Sequence, residues 1–215
     1  MNITSNGIHL HVSDNGHGNL AVVFLHCWGG SSRTWDRVLA ALPPGYRTVA
    51  IDQRGWGSSE HPSSGFSVAD LANDTAGAIE ALGLERYILV GHSMGGKTAQ
   101  FLASRRPKGL VGLVLVAPGK LLVDSPEFPK EYETEARAGG VFLDRLRAEN
   151  DLNWTFLSPS ALFVAGERTG KFRLGKDQLL TNDKGSSISF EDYAIALVDE
   201  LEKPAHSRQR FTVGY

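Results

Sequence analysis

Tyr87-Ile88-Leu89-Val90-Gly91-His92-Ser93-Met94-Gly95-Gly96-Lys97 is the stretch on which the reading of this chain turns. Its first four residues form a short run of the kind buried in a parallel sheet, and residues 94–105 carry apolar side chains at helical spacing. Between them Gly91-His92-Ser93-Met94-Gly95 fits G-x-S-x-G, a serine on a sharp strand-to-helix turn. Glycine two residues to either side lets neighbouring backbone come close, and the helix start favours negative charge developing beside Ser93. The plain alternative is a strand-to-helix turn without chemistry, and the surrounding sequence decides between the two.

Working outward, residues 20–26, 48–52 and 110–116 are further buried strands. Residues 8–12 alternate with period 2 and end at Asp14-Asn15-Gly16, and residues 33–42 read as a helix stopped by Pro43-Pro44-Gly45. Residues 67–82 are a helix with Ser67 as N-cap, Asp70 at the capping-box position and Gly83 as its stop. Strands alternating with helices at this spacing imply right-handed crossovers and a mostly parallel sheet. Beyond Pro118-Gly119 the texture changes. Residues 124–135 are charged and contain Pro126 and Pro129, a surface connection, and residues 136–150 are helical despite Gly139-Gly140. A strand at 154–158, a hairpin within 166–185, an amphipathic helix at 189–201 started by Ser189 and Asp192, and a terminal strand at 209–213 complete the pattern.

Composition sets the outer bounds. The chain has 215 residues, 41% of them hydrophobic and 21% charged, which suits one ordinary globular core and excludes a disordered chain. The formal charge of −2 makes no electrostatic case for nucleic acid or an anionic membrane as partner. Cys27 is the single cysteine, so no intrachain disulfide forms and a reducing, cytoplasmic setting is expected. The first residues carry neither a basic cluster nor an apolar h-region, so no signal peptide is expected, and no apolar run has the length to span a bilayer.

Two further motifs stand in order with the serine turn. His26-Cys27-Trp28-Gly29-Gly30 follows the 20–25 strand directly, and Asp52-Gln53-Arg54-Gly55-Trp56-Gly57-Ser58-Ser59 follows the next. With Gly95-Gly96-Lys97 and Leu113-Val114-Leu115-Val116-Ala117-Pro118, they make residues 1–118 resemble the nucleophile-bearing half of the α/β-hydrolase family. The resemblance implies Ser93 as nucleophile and the amides of Trp28 and Met94 as oxyanion donors. Cys27 stands where that family usually has glycine and reads as a small buried side chain rather than a nucleophile. Asp52 and Arg54 read as a structural ion pair. Trp35, Trp56 and Trp154 read as core residues, and Trp28 as bordering the cleft.

A serine hydrolase also needs a histidine to take the serine proton and an acid to orient it. The only histidine after His92 is His206, and it precedes the 209–213 strand, at the wrong end of a parallel sheet to reach Ser93. His26 is the candidate base, with His61 as its alternative, and Asp124 the candidate acid; the triad is incomplete. Residues 119–215 instead resemble NAD(P)-binding proteins of the atypical short-chain dehydrogenase or NADH-flavin reductase type. The matching stretches are residues 119–124, 151–160, 166–171, 188–194 and 208–215. That resemblance implies a Ser158-Pro159 segment lining a cofactor cleft and an Asp192-Tyr193-Ala194 helix packed on the sheet. No G-x-x-G-x-x-G phosphate-binding turn follows the first strand, so neither NAD(P) nor any other cofactor is expected, and no metal.

The expectation is therefore a hybrid joined near Ala117-Pro118-Gly119, residues 1–118 hydrolase-like and residues 119–215 Rossmann-like. It would form a three-layer α/β sandwich with a mostly parallel sheet, packed as one globular unit. Its expected chemistry is esterase-like hydrolysis of a small-molecule ester. The alternatives are an NAD(P)-dependent oxidoreductase-derived fragment or a catalytically inactive scaffold.

Overall fold

Asn6 and Gly7 both have positive φ, 49° and 79°, as a two-residue hairpin turn requires. They join β1 (Asn2–Ser5) to β2 (Ile8–Asp14), an antiparallel pair in which Ser5 faces Ile8. β1 is absent from the sequence expectation, although Asn-Gly before an alternating strand is its signal. In the computed structural model residues 1–116, 130 and 133–215 are described, and two units are distinguished, Met1–Leu115 and Val116–Tyr215. The expected junction at Ala117-Pro118-Gly119, the candidate acid Asp124 and most of the expected 124–135 connection lie outside the described residues.

In the first unit, β3 (Leu20–Leu25) leads through a 3-10 turn (Ser32–Trp35) into α1 (Asp36–Ala41) and β4 (Tyr46–Ile51). The single helix expected over 33–42 is thus divided. Ser31 and Thr34 cap each other reciprocally and tighten the first turn, and Leu42 is extended ahead of Pro43. α2 (Val68–Ala81), β5 (Tyr87–His92), α3 (Met94–Ser104) and β6 (Leu110–Val116) follow. Ser67 and Asp70 form the expected capping box of α2, and Gly83 leaves the helix at φ 61°. The strand order is β1-β2-β4-β3-β5-β6, with β3 parallel to both β4 and β5. Flanked on both sides, β3 is sealed from water: Val22, Val23, Phe24 and Leu25 have no exposed surface. Each such side chain contributes about 1.5–3 kcal/mol by leaving water.

In the second unit, α4 (Glu133–Arg147) runs through Gly139-Gly140 and buries Leu143 and Leu146. β7 (Trp154–Pro159) is followed by β8 (Leu162–Val164), β9 (Arg173–Gly175) and β10 (Ser187–Ser189), then α5 (Phe190–Glu202) and β11 (Gln209–Gly214). β11 pairs parallel with β7 and antiparallel with β9, and β8 pairs parallel with β10. The hairpin expected within 166–185 is reduced to one antiparallel bridge, Asn182 to Gly185. Its Arg173–Gly175 segment adds to β11 instead, where Thr212 faces Gly175 and the strand gains a longer partner than a local turn would offer. α5 lays Tyr193, Leu197 and Leu201 inward, and the Tyr193 hydroxyl donates to the Leu157 carbonyl at 2.9 Å. Strand–helix alternation and the parallel pairs β3·β4, β3·β5 and β7·β11 make this an α/β fold.

Candidate active site

β5 hands over to α3 at a single residue, Ser93, whose backbone sits at φ 52° and ψ −114°. That conformation costs a non-glycine residue of order 1–3 kcal/mol and persists only where its surroundings impose it. The imposition is visible. The Gly95 amide donates to the His26 carbonyl at 3.0 Å, which ties the start of α3 to the end of β3. A Cβ on Gly95 would collide with the Leu25 carbonyl, and one on Gly91 with the Gly95 carbonyl, so both glycines of the motif are sterically required. Ser93 is partly exposed, and its Oγ has no hydrogen-bond partner among the described residues. Met94, the first helical residue, has an amide without an intrahelical acceptor. The turn therefore presents a free hydroxyl beside helix-start amides.

His26 overturns one expectation. Its ring is wholly buried, Nε2 accepts from the Gln53 amide at 2.9 Å, and Nδ1 donates to the Cys27 carbonyl at 2.7 Å. Those partners require the neutral Nδ1–H tautomer and leave no lone pair for a serine proton. Burial also pushes the His26 pKa below its ordinary value, against the Cys27 carbonyl and Asp52, which favour the charged form. His26 is a bracket rather than the base. The Gln53 side chain extends the bracket, its Nε2 donating to the His26 carbonyl at 2.8 Å and its Oε1 accepting from Thr98 at 3.2 Å. Gln53 and Thr98 carried no signal in the sequence, because the link joins residues 45 positions apart.

The expected Asp52–Arg54 pair is also corrected. Asp52 accepts the amides of Ser32 at 2.5 Å and Ser58 at 2.8 Å, so it fastens the segment after Gly29-Gly30 to the 57–59 loop. Burial opposes its ionisation, but these hydrogen bonds outweigh it and hold the carboxyl below its ordinary pKa. Arg54 pairs instead with buried Asp74 on α2, at 2.5 and 2.6 Å, and donates to the Gly65 carbonyl. Asn6 of the first hairpin adds a third hydrogen bond to Asp74.

Trp28 is 73% exposed and packs edge-on against Trp56, which also meets His26 and Phe66 edge-on. Trp56 thus belongs to a half-open aromatic row, whereas Trp35 and Trp154 are buried as expected. Cys27 is half-buried and burial raises its thiol pKa, which fits a passive side chain. His92 is pushed down to about 4, first by burial and then by His26, so it is neutral at pH 7. His61 is exposed. His206 lies before β11, as expected, but its ring is tied to Glu200 at 2.8 Å and stacked on Phe211 at 3.9 Å. Ser158 and Ser160 hydrogen-bond within the second unit, to Arg210 and the Val213 carbonyl. Among the described residues no cluster of three His, Cys, Asp or Glu could hold a metal, and no helix is long and apolar enough to cross a membrane.

Residues 21–196 match the alpha/beta hydrolase fold family, and the chain belongs to it. The uncharacterized protein YwnB of Bacillus subtilis is 53% identical over 94 residues, 43% of this chain and 44% of its own length. A non-heme chloroperoxidase of Streptomyces lividans is 39% identical over 117 residues, 53% of this chain and 42% of its own. The chain thus spans less than half the length of either curated relative. Among solved structures, a Streptococcus pneumoniae protein assigned provisionally as an NADH-flavin reductase superposes with a TM-score of 0.61 at 28% identity. The superposition covers 91% of this chain and 98% of that one. Likeness to both protein types accords with the two resemblances of the sequence.

Proposed function

We propose that this protein is a serine hydrolase of small ester-like substrates, with Ser93 as nucleophile and an incomplete triad. The observation that carries the reading is the backbone of Ser93, held at φ 52° with its hydroxyl unengaged. In this reading Ser93 Oγ attacks the ester carbonyl carbon, and the amides of Trp28 and Met94 bind the oxyanion. The alkoxide leaves with the serine proton, and water releases the acid from the acyl-enzyme. His26 is engaged on both nitrogens and is not the proton acceptor. Loss of a triad member lowers turnover by several orders of magnitude while leaving catalysis by the oxyanion donors. Neither nucleic acid nor membrane enters as partner, and the single cysteine suits a reducing cytoplasmic compartment.

Intact-mass detection of fluorophosphonate labelling tests this, comparing the protein with Ser93→Ala. The expected result is slow, stoichiometric labelling that disappears in the variant. A folded protein that resists labelling would leave a hydrolase-derived scaffold without the chemistry. The likeness to the Streptococcus pneumoniae protein favours a second reading, an oxidoreductase-derived fragment. Saturable quenching of tryptophan fluorescence by NADPH would support that reading; none is expected, because the sequence has no glycine turn for the pyrophosphate.

A further inference from the structure

Arg210, the second residue of β11, lies opposite Phe156 of β7, and its side chain is 95% buried. Nε donates to Ser158 Oγ at 3.1 Å, and Nη1 stands 3.8 Å from Asp177 Oδ1. Nη2 is sealed from solvent and has no hydrogen-bond partner among the described residues. Arg147, at the end of α4, donates to the same Asp177 oxygen at 2.7 Å. Two guanidinium groups thus converge on one carboxylate oxygen, and one of them is buried with a donor unfilled.

We propose that Arg210, Arg147 and Ser158 form a binding site for a small oxyanion, a phosphate or phosphoryl group, whose place Asp177 occupies in the free protein. A guanidinium removed from water is stable only beside acceptors that use its donors, and the fork of an arginine fits two oxygens of one tetrahedral anion. Asp177 meets that need poorly. It is 60% exposed, it offers both arginines a single oxygen, and its contact with Arg210 is long. An exposed ion pair of this kind holds weakly and is readily exchanged. The remaining contact of Arg147, Asp144 at 3.4 Å, is an exposed pair along α4 and involves no atom of Arg210. Burial lowers the Arg210 pKa, Asp177 opposes that and Arg147 adds to it, the pattern of a cation short of negative charge.

Calorimetric titration with inorganic phosphate, glycerol phosphate and sodium chloride at matched ionic strength tests the site. Saturable phosphate binding is expected, about tenfold tighter in Asp177→Asn, where the competing carboxylate is gone, and about tenfold weaker in Arg147→Ala. Both substitutions alter exposed side chains, so they remain decisive if Arg210→Gln fails to fold; where it folds, binding should vanish. Tighter binding of glycerol phosphate than of phosphate would identify a phosphomonoester as the ligand, and equal binding the free anion. Equal affinity in wild type, Asp177→Asn and Arg147→Ala, or heats reproduced by chloride, would overturn the proposal. Ser93→Ala should leave the titration unchanged, so the result is separate from the hydrolase reading.

Discussion

In the first unit His26, Gln53, Asp52 and Arg54 are all buried, and each has its charged or polar atoms matched to backbone, to a hydroxyl or to a counter-charge. In the second unit Asp192 is matched in the same way, by the Thr169 hydroxyl at 2.5 Å, the Gly170 amide at 2.8 Å and the Tyr215 hydroxyl at 2.8 Å. Arg210, in that same unit, keeps a donor unfilled among the described residues. Matched groups of this kind fix loops: those of the first unit hold the 26–30 and 52–59 segments around Ser93, and Asp192 holds the 169–170 turn. An unmatched buried charge is costly to keep, and Arg210 is the one proposed above to meet an anion. The units therefore differ in their buried charges: those of the first are spent on rigidity, whereas Arg210 of the second keeps a donor without an acceptor among the described residues; the unpartnered indole N–H groups of Trp35 and Trp154, one in each unit, are neutral.

The sharpest way to break the comparison is to remove a matched partner. Arg54→Met leaves the buried Asp74 carboxylate without its counter-ion and should cost about 3–5 kcal/mol in urea unfolding. A loss under 1 kcal/mol would mean that the pair is not what holds the 54–74 link. His26→Ala strands the Gln53 amide and the Cys27 carbonyl, for an expected loss of about 2–4 kcal/mol. If labelling of Ser93 also vanishes while His26→Asn restores part of the stability and the labelling, the bracket role is supported. Labelling lost in both variants at full stability would return His26 to the chemistry.

Acid separates the buried histidines from the hydrogen-bonded carboxylates. His92 and His26 are held neutral in the folded state, so the unfolded chain binds more protons below the ordinary histidine value of 6.5. Stability should therefore fall as pH drops from about 6.5 toward 4, by roughly 3 kcal/mol at most from His92. Asp192, like Asp52 of the first unit, acts in a lower window. Its folded pKa is depressed, with burial outweighed by the Thr169, Gly170 and Tyr215 hydrogen bonds. Its contribution is present above the ordinary carboxylate value of 3.8 and is lost as pH falls through the folded one. Melting curves against pH should show His92→Asn flattening the upper arm and Asp192→Asn the lower. One arm responding to both variants would sink the separation. The smallest effect has the opposite sign: Ser93→Gly relieves the backbone at φ 52° and should stabilise by about 1 kcal/mol, where Ser93→Ala should not.

Local rules made much of the fold readable. The run 110–116, the capping box of Ser67 and Asp70, and the glycine-flanked serine at 93 are contiguous patterns whose physics operates within a few residues. The hairpin expected in 166–185 shrank to the Asn182–Gly185 bridge for the converse reason. A three-residue strand has no register of its own, and Arg173–Gly175 took the edge offered by β11, some 40 positions away. The candidate site divided along the same line. Ser93, Trp28 and Met94 follow from motif and turn, whereas the role of His26 depended on which atoms met its two nitrogens.

By itself, then, the sequence determined the α/β alternation, the strained serine between β5 and α3, and the absence of a glycine-rich dinucleotide turn, because each is a local matter of periodicity, sterics or residue type. Only tertiary structure decided that His26 is a bracket, that Arg54 answers Asp74 rather than Asp52, and that Arg210 is buried without a full set of acceptors. Hydrogen-bond donors and charges choose partners by distance in space: Gln53 is 27 residues from His26, Asp74 is 20 from Arg54 and Ser158 is 52 from Arg210.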